Sequence, residues 1–204
     1  IYEFGKDILK EPCTIKKNND NIYVLNKDYG KISIFDKKGN FIREIGEGLL
    51  YPASFDLDNN NIYVANTNKN EIQVYSVSGD LIERISNNYK YPNGIKIYKE
   101  YLILADQFNK KILIVDRINR KEAVLTSGNY FSSIDILDDT LIGFDEEKSE
   151  FVETKLDINK LKFYEFSYTE KSNVNFGKYE SKGELKYLRK IKELSSDLII
   201  EKPK

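Results

Sequence analysis

Short apolar runs separated by clusters of Asn, Asp, Lys and Gly recur along this chain. Ile22 to Leu25, Ile62 to Ala65 and Leu102 to Ala105 are apolar at nearly every position. Each ends on Asn26, Asn66 or Asp106 and is followed five residues later by a second run: Ile32 to Phe35, Ile72 to Tyr75 or Ile112 to Val115. Ahead of each pair stands a proline, Pro12, Pro52 or Pro92, opening an alternating stretch: Ile15 and Lys17, Phe55 and Leu57, Ile95 and Ile97. Gly39 and Gly79 then mark a turn into Phe41 to Ile45 or Leu81 to Ile85. The third copy has Asn119 at that turn and continues into Ala123 to Leu125. The prolines fall 40 residues apart, so the chain repeats at that period.

The pattern predicts four strands per repeat. A run apolar on both faces has to be covered on both faces, and a strand held between two neighbouring sheets meets that condition. Gly at the hairpin tolerates the positive φ that tight turns need. Asn26, Asn66 and Asp106 are placed to cap their own turns. Four short strands repeated about every 40 residues are the mark of a β-propeller blade. In the residues themselves, "IYVAN" or "LILAD" followed by "EIQVYSVSG" or "KISIFDKKG" resembles the NHL repeat. The resemblance covers residues 1 to 130 well and 131 to 170 loosely. It implies an all-β propeller, and it implies no single function, because such folds carry many.

At this period the 204 residues hold about five blades in one domain. The expected boundaries are 10–50, 51–90, 91–130 and 131–170. Residues 171–204, with 1–5, would form a closing blade: Ile1 to Gly5 reads as a copy of Ile42 to Gly46, the end of a fourth strand. In the degenerate fourth blade Ile134 and Ile136, Leu141 to Phe144 and Asp145 keep the register. Phe151 to Thr154 and Leu161 to Tyr168 are expected as its third and fourth strands. The last stretch reads two ways. Leu185, Leu188, Ile191, Leu194 and Leu198 have helical spacing, while Leu185, Tyr187, Arg189 and Ile191 alternate as a strand does.

Composition narrows the chemistry. The chain has no histidine and one cysteine, Cys13. A Ser-His-Asp or Cys-His nucleophile, histidine-bound zinc and an intramolecular disulfide are therefore excluded. Cys13 reads as a small packing residue. No glycine-rich phosphate loop occurs. A net charge of −1 gives no basic footprint for nucleic acid, and no apolar run is long enough for a membrane-spanning helix. Without methionine, Ile1 is expected to follow a removed leader or another boundary. Extracytoplasmic and cytoplasmic locations both fit.

No cofactor is expected; calcium is the metal that the oxygen ligands would suit. Asn26, Asn66, Asp106 and Asp145 hold equivalent positions that could converge on one face. "YPNGI", Tyr91 to Ile95, is similar to the "PNG" of gluconolactonase-type propellers, which implies Asn93 as a metal ligand. The acidic partners of that family have no match: the next repeat reads "FSSIDIL".

Aromatic residues carry the main functional expectation. In a blade of alternating strands, the between-blade connection and the second-to-third loop share one face. Tyr29, Tyr51, Tyr89, Tyr91, Phe108, Tyr130 and Phe131 lie in those loops, while the opposite turns are mostly Asn, Asp, Lys and Gly. Tyr combines apolar area with a polar tip at low entropic cost. Tyr51 and Tyr91, beside their prolines, are expected to pack between blades. Tyr89, Phe108, Tyr130, Phe131 and Tyr29 are the binding candidates. The sequence thus points to a non-catalytic platform for a protein, peptide or glycan. A metal-dependent lactonase-type hydrolase and an RNA-binding NHL surface are the alternatives.

Overall fold

The computed structural model describes residues 3–165 and 168–171, and almost all of their regular structure is strand. The first blade is β1 (Pro12–Asn18), β2 (Asn21–Asn26), β3 (Lys31–Asp36) and β4 (Phe41–Ile45), antiparallel and in chain order. The second is β5 (Ser54–Leu57), β6 (Asn61–Asn66), β7 (Glu71–Ser76) and β8 (Leu81–Ser86). The third is β9 (Pro92–Tyr98), β10 (Tyr101–Asp106), β11 (Lys111–Asp116) and β12 (Lys121–Ser127). A fourth sheet holds β13 (Phe131–Leu137), β14 (Thr140–Asp145) and β15 (Glu150–Lys155). This is a β-propeller architecture, with four blades among the described residues.

In the second and third blades the second and third strands form the core because both their faces meet a neighbouring sheet. Tyr23, Leu25, Ile32 and Ile34 of the first blade pack on Phe55, Ile62, Val64 and Tyr75 of the second. Tyr63, Ala65, Ile72 and Val74, on the other face of the second blade, pack on Ile95, Leu102, Leu104 and Leu113 of the third. Ile103, Ala105, Ile112 and Ile114 of the third pack on Phe131, Ile134 and Leu141 of the fourth. Fully burying one such side chain stabilises by roughly 1.5–3 kcal/mol.

The first strands of successive blades lie side by side and are tied by polar contacts at the repeat period. Lys16 of β1 pairs with Asp56 of β5 at 2.9 Å. Asp56 also accepts the Ile97 backbone N–H of β9 at 2.9 Å. Lys96 of β9 pairs with Asp135 of β13 at 2.8 Å. Positive and negative side chains therefore alternate from blade to blade, an arrangement the apolar pattern did not disclose.

One expectation about the last third of the chain changes. Leu161 to Tyr168 is not the fourth strand of the fourth blade. Its residues β16 (Tyr164–Glu165) add to the outer edge of β12. The following β17 (Tyr168–Lys171) adds to the outer edge of β8. Those edges carry unpaired backbone N–H and C=O groups, which a passing strand satisfies. The closing-blade and helix readings of the segment after Lys171 lie outside the described residues. At the other end, Glu3 to Gly5 pair with no strand; Phe4 instead packs edge-on against Phe35, with ring centroids 5.1 Å apart.

Candidate functional site

The face that carries the aromatic loops is built by a recurrent bond. Asn26 Oδ1 accepts the Lys10 backbone N–H at 3.1 Å, Asn66 Oδ1 that of Leu50 at 2.7 Å, and Asp106 Oδ1 that of Lys90 at 2.6 Å. The residue ending each second strand thus holds down the connection arriving from the previous blade, sixteen residues earlier. In the fourth blade Asp145 takes the Asn129 side-chain amide instead, at 2.8 Å, and also caps its own turn through the N–H groups of Glu147 and Lys148. A second tie joins the two loops of each blade. Lys27 N–H donates to Glu11 O, Asn68 to Leu50 O, Phe108 to Lys90 O and Glu146 to Tyr130 O, all between 3.0 and 3.2 Å. The between-blade connections and second-to-third loops do share one face.

The five candidate rings separate into two groups. Tyr89 is 2% exposed and belongs to the core between the second and third blades, where its hydroxyl donates to Glu122 at 3.2 Å. Burial and the neighbouring Glu122 carboxylate push that phenol well above its ordinary range. Phe131 is 1% exposed and sits in the core between the third and fourth blades. Neither ring reaches the loop surface: Phe131 opens β13 with its side chain inward, and Tyr89, in the connection ahead of β9, turns into the junction of the second and third blades.

Phe108 is 54% exposed and sits in a three-ring stack. Tyr91 lies against one side, with centroids 4.5 Å apart and planes 7° from parallel. Tyr130 lies against the other, at 5.8 Å and 24°. Tyr91, expected to pack between blades, is therefore part of the surface group. Its signal was present: only the third blade has an aromatic at both the pre-proline and the second-to-third-loop positions. Tyr91 has a positive φ of 57°, as do Glu11 and Tyr51 before the other two repeat prolines, and its N–H donates to Asn70 Oδ1 at 2.8 Å. Tyr29 is exposed too, but on the first blade, two blades from Phe108.

Polar groups frame the stack. Lys110 Nζ pairs with Glu147 at 2.6 Å, linking the loops of the third and fourth blades. Gln107 donates to Glu146 at 3.2 Å and accepts from Asn93 at 3.3 Å. Asn93 also donates to Ser132 O at 3.0 Å. Asp106 is further engaged by the Asn109 amide at 2.7 Å. The residues considered as metal ligands, Asn93, Asp106 and Asp145 together with Asn26 and Asn66, are thus each bonded at a blade-to-blade junction. Among the described residues no three acidic, histidine or cysteine side chains gather as a metal site would require. The opposite face carries a mixed-charge cleft of about 470 Å³ lined by Tyr98, Lys99, Tyr101, Asp139, Lys155 and Asp157.

The fold and this loop face define a propeller with an ordered aromatic surface. Residues 6–103 match a family model described as a 6-bladed beta-propeller. None of the curated proteins matches the chain. Among solved structures it is similar to hydrazine synthase of Kuenenia stuttgartiensis, at 15% identity and a TM-score of 0.63, over 79% of this chain and 52% of that one. It is similar to virginiamycin B lyase of Staphylococcus aureus, at 17% identity and 0.62, over 77% of this chain and 56% of that one. A chain of a nidogen/laminin complex matches at 18% identity and 0.60, over 72% of this chain and 59% of that one. The chain spans a little over half the length of each, and at these identities the likeness is one of fold.

Proposed function

We propose that the protein is a non-catalytic binding platform, with NHL-like blades, for a protein, peptide or glycan partner. The observation that carries this reading is the Tyr91–Phe108–Tyr130 stack, with Phe108 exposed between two half-buried tyrosines and held in place before any partner arrives. The three loops that bear it are pinned by backbone hydrogen bonds, that of Tyr91 also by Asp106 and that of Tyr130 also by Asp145. Rings already ordered lose little freedom on binding, so more of the contact energy appears as affinity. Tyr29 extends the same face on the first blade. Propeller folds serve both enzymes and assemblies, as the lyase and the nidogen/laminin complex illustrate, so the reading rests on the site and not on the fold.

The test starts with a glycan array and an affinity pull-down to supply the partner. Truncating Phe108 and Tyr130 together to Ala should then weaken binding by about 2 kcal/mol, roughly thirty-fold in Kd. Melting should change little, because the rings stand in surface loops. Lys38→Ala and Asn60→Ala, in turns of the opposite face, should leave binding intact. Normal binding by the aromatic double mutant would remove this face from the function. Binding lost only in proportion to folding would do the same.

A further inference from the structure

The blades are copies of one repeat, so their junctions can be compared on the face opposite the aromatic loops. Between the second and third blades, Arg117 closes the junction. Its guanidinium donates to Asp58 at 2.7 Å, to the Tyr63 hydroxyl at 3.1 Å and to the backbone oxygens of Lys99 and Glu100, and it lies over the Tyr63 ring. Asn61 also donates to that hydroxyl, at 3.4 Å. Tyr63 is 5% exposed, and its polar tip is satisfied.

Between the first and second blades the same places are filled differently. Val77 stands where Arg117 does: its N–H donates to Asn60 O, as that of Arg117 donates to Glu100 O. Asn18 replaces Asp58, and Arg43 of β4 replaces Glu83 of β8. Tyr23 keeps the tyrosine and is 4% exposed, yet its hydroxyl meets no hydrogen-bond partner among the described residues. The junction is a cleft of about 350 Å³ whose lining includes Tyr23, Arg43, Asn18, Asn19, Asn21 and Asn59. A nearly buried hydroxyl without a partner is costly, and in a native protein it calls for a reason. The cleft between the third and fourth blades raises no such question. Leu156 holds the place of Arg117 there, Ile103 that of Tyr63, and Lys99 pairs with Asp139 at 3.6 Å.

The lining selects the group that would fill the first cleft. A second guanidinium is disfavoured, because the carboxylate that receives Arg117 has become an amide and Arg43 adds a positive charge. Arg43 donates to Val77 O and pairs with no carboxylate among the described residues. The carboxylates of the neighbouring turns are engaged elsewhere: Asp20 by Lys37, Asp36 by Asn40, Asp58 by Arg117 and Asp80 by Ser76 and Ser78. Carboxamides both donate and accept, as sugar hydroxyls do. Asn18 already donates to Asp58 O at 3.0 Å, which leaves its oxygen as an acceptor. An arginine takes a carboxylate through two parallel bonds. The size of the cleft, about 350 Å³, is that of a small-ligand site, for which about 300–1,000 Å³ is usual.

We propose that this cleft is a saccharide site that takes a hexuronate unit. Arg43 receives the sugar carboxylate, and the Tyr23 hydroxyl and the asparagine amides receive the ring hydroxyls. The site lies on the face opposite the Tyr91–Phe108–Tyr130 stack, so it stands or falls independently of the aromatic platform.

Calorimetric titration of the full chain with D-glucuronate, D-galacturonate and an oligomer of each tests this, beside glucose, acetate and an oligoglutamate peptide. At least one uronate should bind saturably and more tightly than glucose; tighter binding of the oligomer than of the monomer would assign the site to a glycan chain over the free acid. Tyr23→Phe should weaken binding about ten-fold and leave the melting of the free protein unchanged, because its hydroxyl holds nothing in the fold. Arg43→Gln should remove the preference for uronate over glucose. Asn18→Asp combined with Val77→Arg copies the closed junction, and should abolish binding without lowering the melting temperature. No saturable binding of any uronate overturns the proposal. Equal binding of acetate or of the peptide does so too, since the cleft would then be a plain carboxylate site or a peptide site. Wild-type binding by the double variant would place the uronate elsewhere, and a lower melting temperature for Tyr23→Phe would mean that the fold itself uses the hydroxyl; either result overturns it.

Discussion

Asp106 shows how one atom's role constrains a residue. Burial raises its carboxyl above the ordinary range, against the opposing pull of the Asn109 amide and the Lys90 N–H. Glu122, beside Tyr89, is also raised, again by burial first. A carboxyl raised by folding binds its proton more tightly in the native state. Its stabilising contribution is full at acid pH, below the unfolded value, and is lost as the pH rises through the raised native value. Asp58 runs the other way. Burial would raise it, but the N–H groups of Asn60 and Asn61 and the Arg117 guanidinium outweigh that and hold it low. Its contribution is present above the unfolded value, near 4, and is lost as the pH falls through the lowered native one. Asn26 and Asn66 already do the work of Asp106 without a charge. Asp106→Asn is therefore expected to raise the melting temperature at neutral pH and to flatten its decline above about pH 4. Melting followed across pH checks this. An unchanged pH profile with a lower melting temperature would mean that the second oxygen's bond to Asn109 matters more than the ionisation penalty.

At the scale of the element, the second strands are where a single change should do most harm. Val64 is fully buried between the first and second blades, and Val64→Asp would put an unpaired carboxylate there, at a cost of several kcal/mol. Insoluble or unfolded protein is the expected outcome; a soluble variant with wild-type melting would contradict the sandwiched position. Gly143 tests the fourth blade separately. A methyl group on it would overlap the Phe131 ring, so Gly143→Ala should cost about 1–3 kcal/mol, read as a lower urea midpoint at unchanged slope. These strands were legible because a run apolar on both faces has one structural solution. Ile22 to Leu25, Ile62 to Ala65 and Leu102 to Ala105 fall inside β2, β6 and β10. The path after β15 was not legible, because alternation says which face of a strand is covered and not whose edge it joins. Tyr164 and Glu165 alternate equally well on their own blade or on β12. The aromatic face was legible only in part for a related reason. Tyr89 and Tyr91 are two residues apart in one connection, yet the first enters the core and the second joins the stack, a choice made by the backbone at the strand's start.

Across the whole molecule, blades are bound to one another by apolar clusters and by the alternating charges of their first strands. The value of each charge depends on how many blades meet it. Asp56 joins three: its own, the first through Lys16, and the third through the Ile97 N–H. With its side chain 15% exposed, removing the carboxylate strands a lysine and leaves a backbone donor without its acceptor in a partly desolvated place. Asp135 has the same partner type in Lys96 but stands 77% exposed, where water screens the pair and can replace it. Asp56→Ala should therefore cost about 2–4 kcal/mol, and Asp135→Ala less than about 1 kcal/mol. The difference should persist in high salt, which screens the exposed pair far more than the enclosed one. Urea unfolding of both variants at low and high salt is the measurement. Equal losses from the two substitutions would mean that the charges act locally, each within its own pair, and that the contacts carried from blade to blade along the first strands contribute nothing of their own to the stability of the assembly.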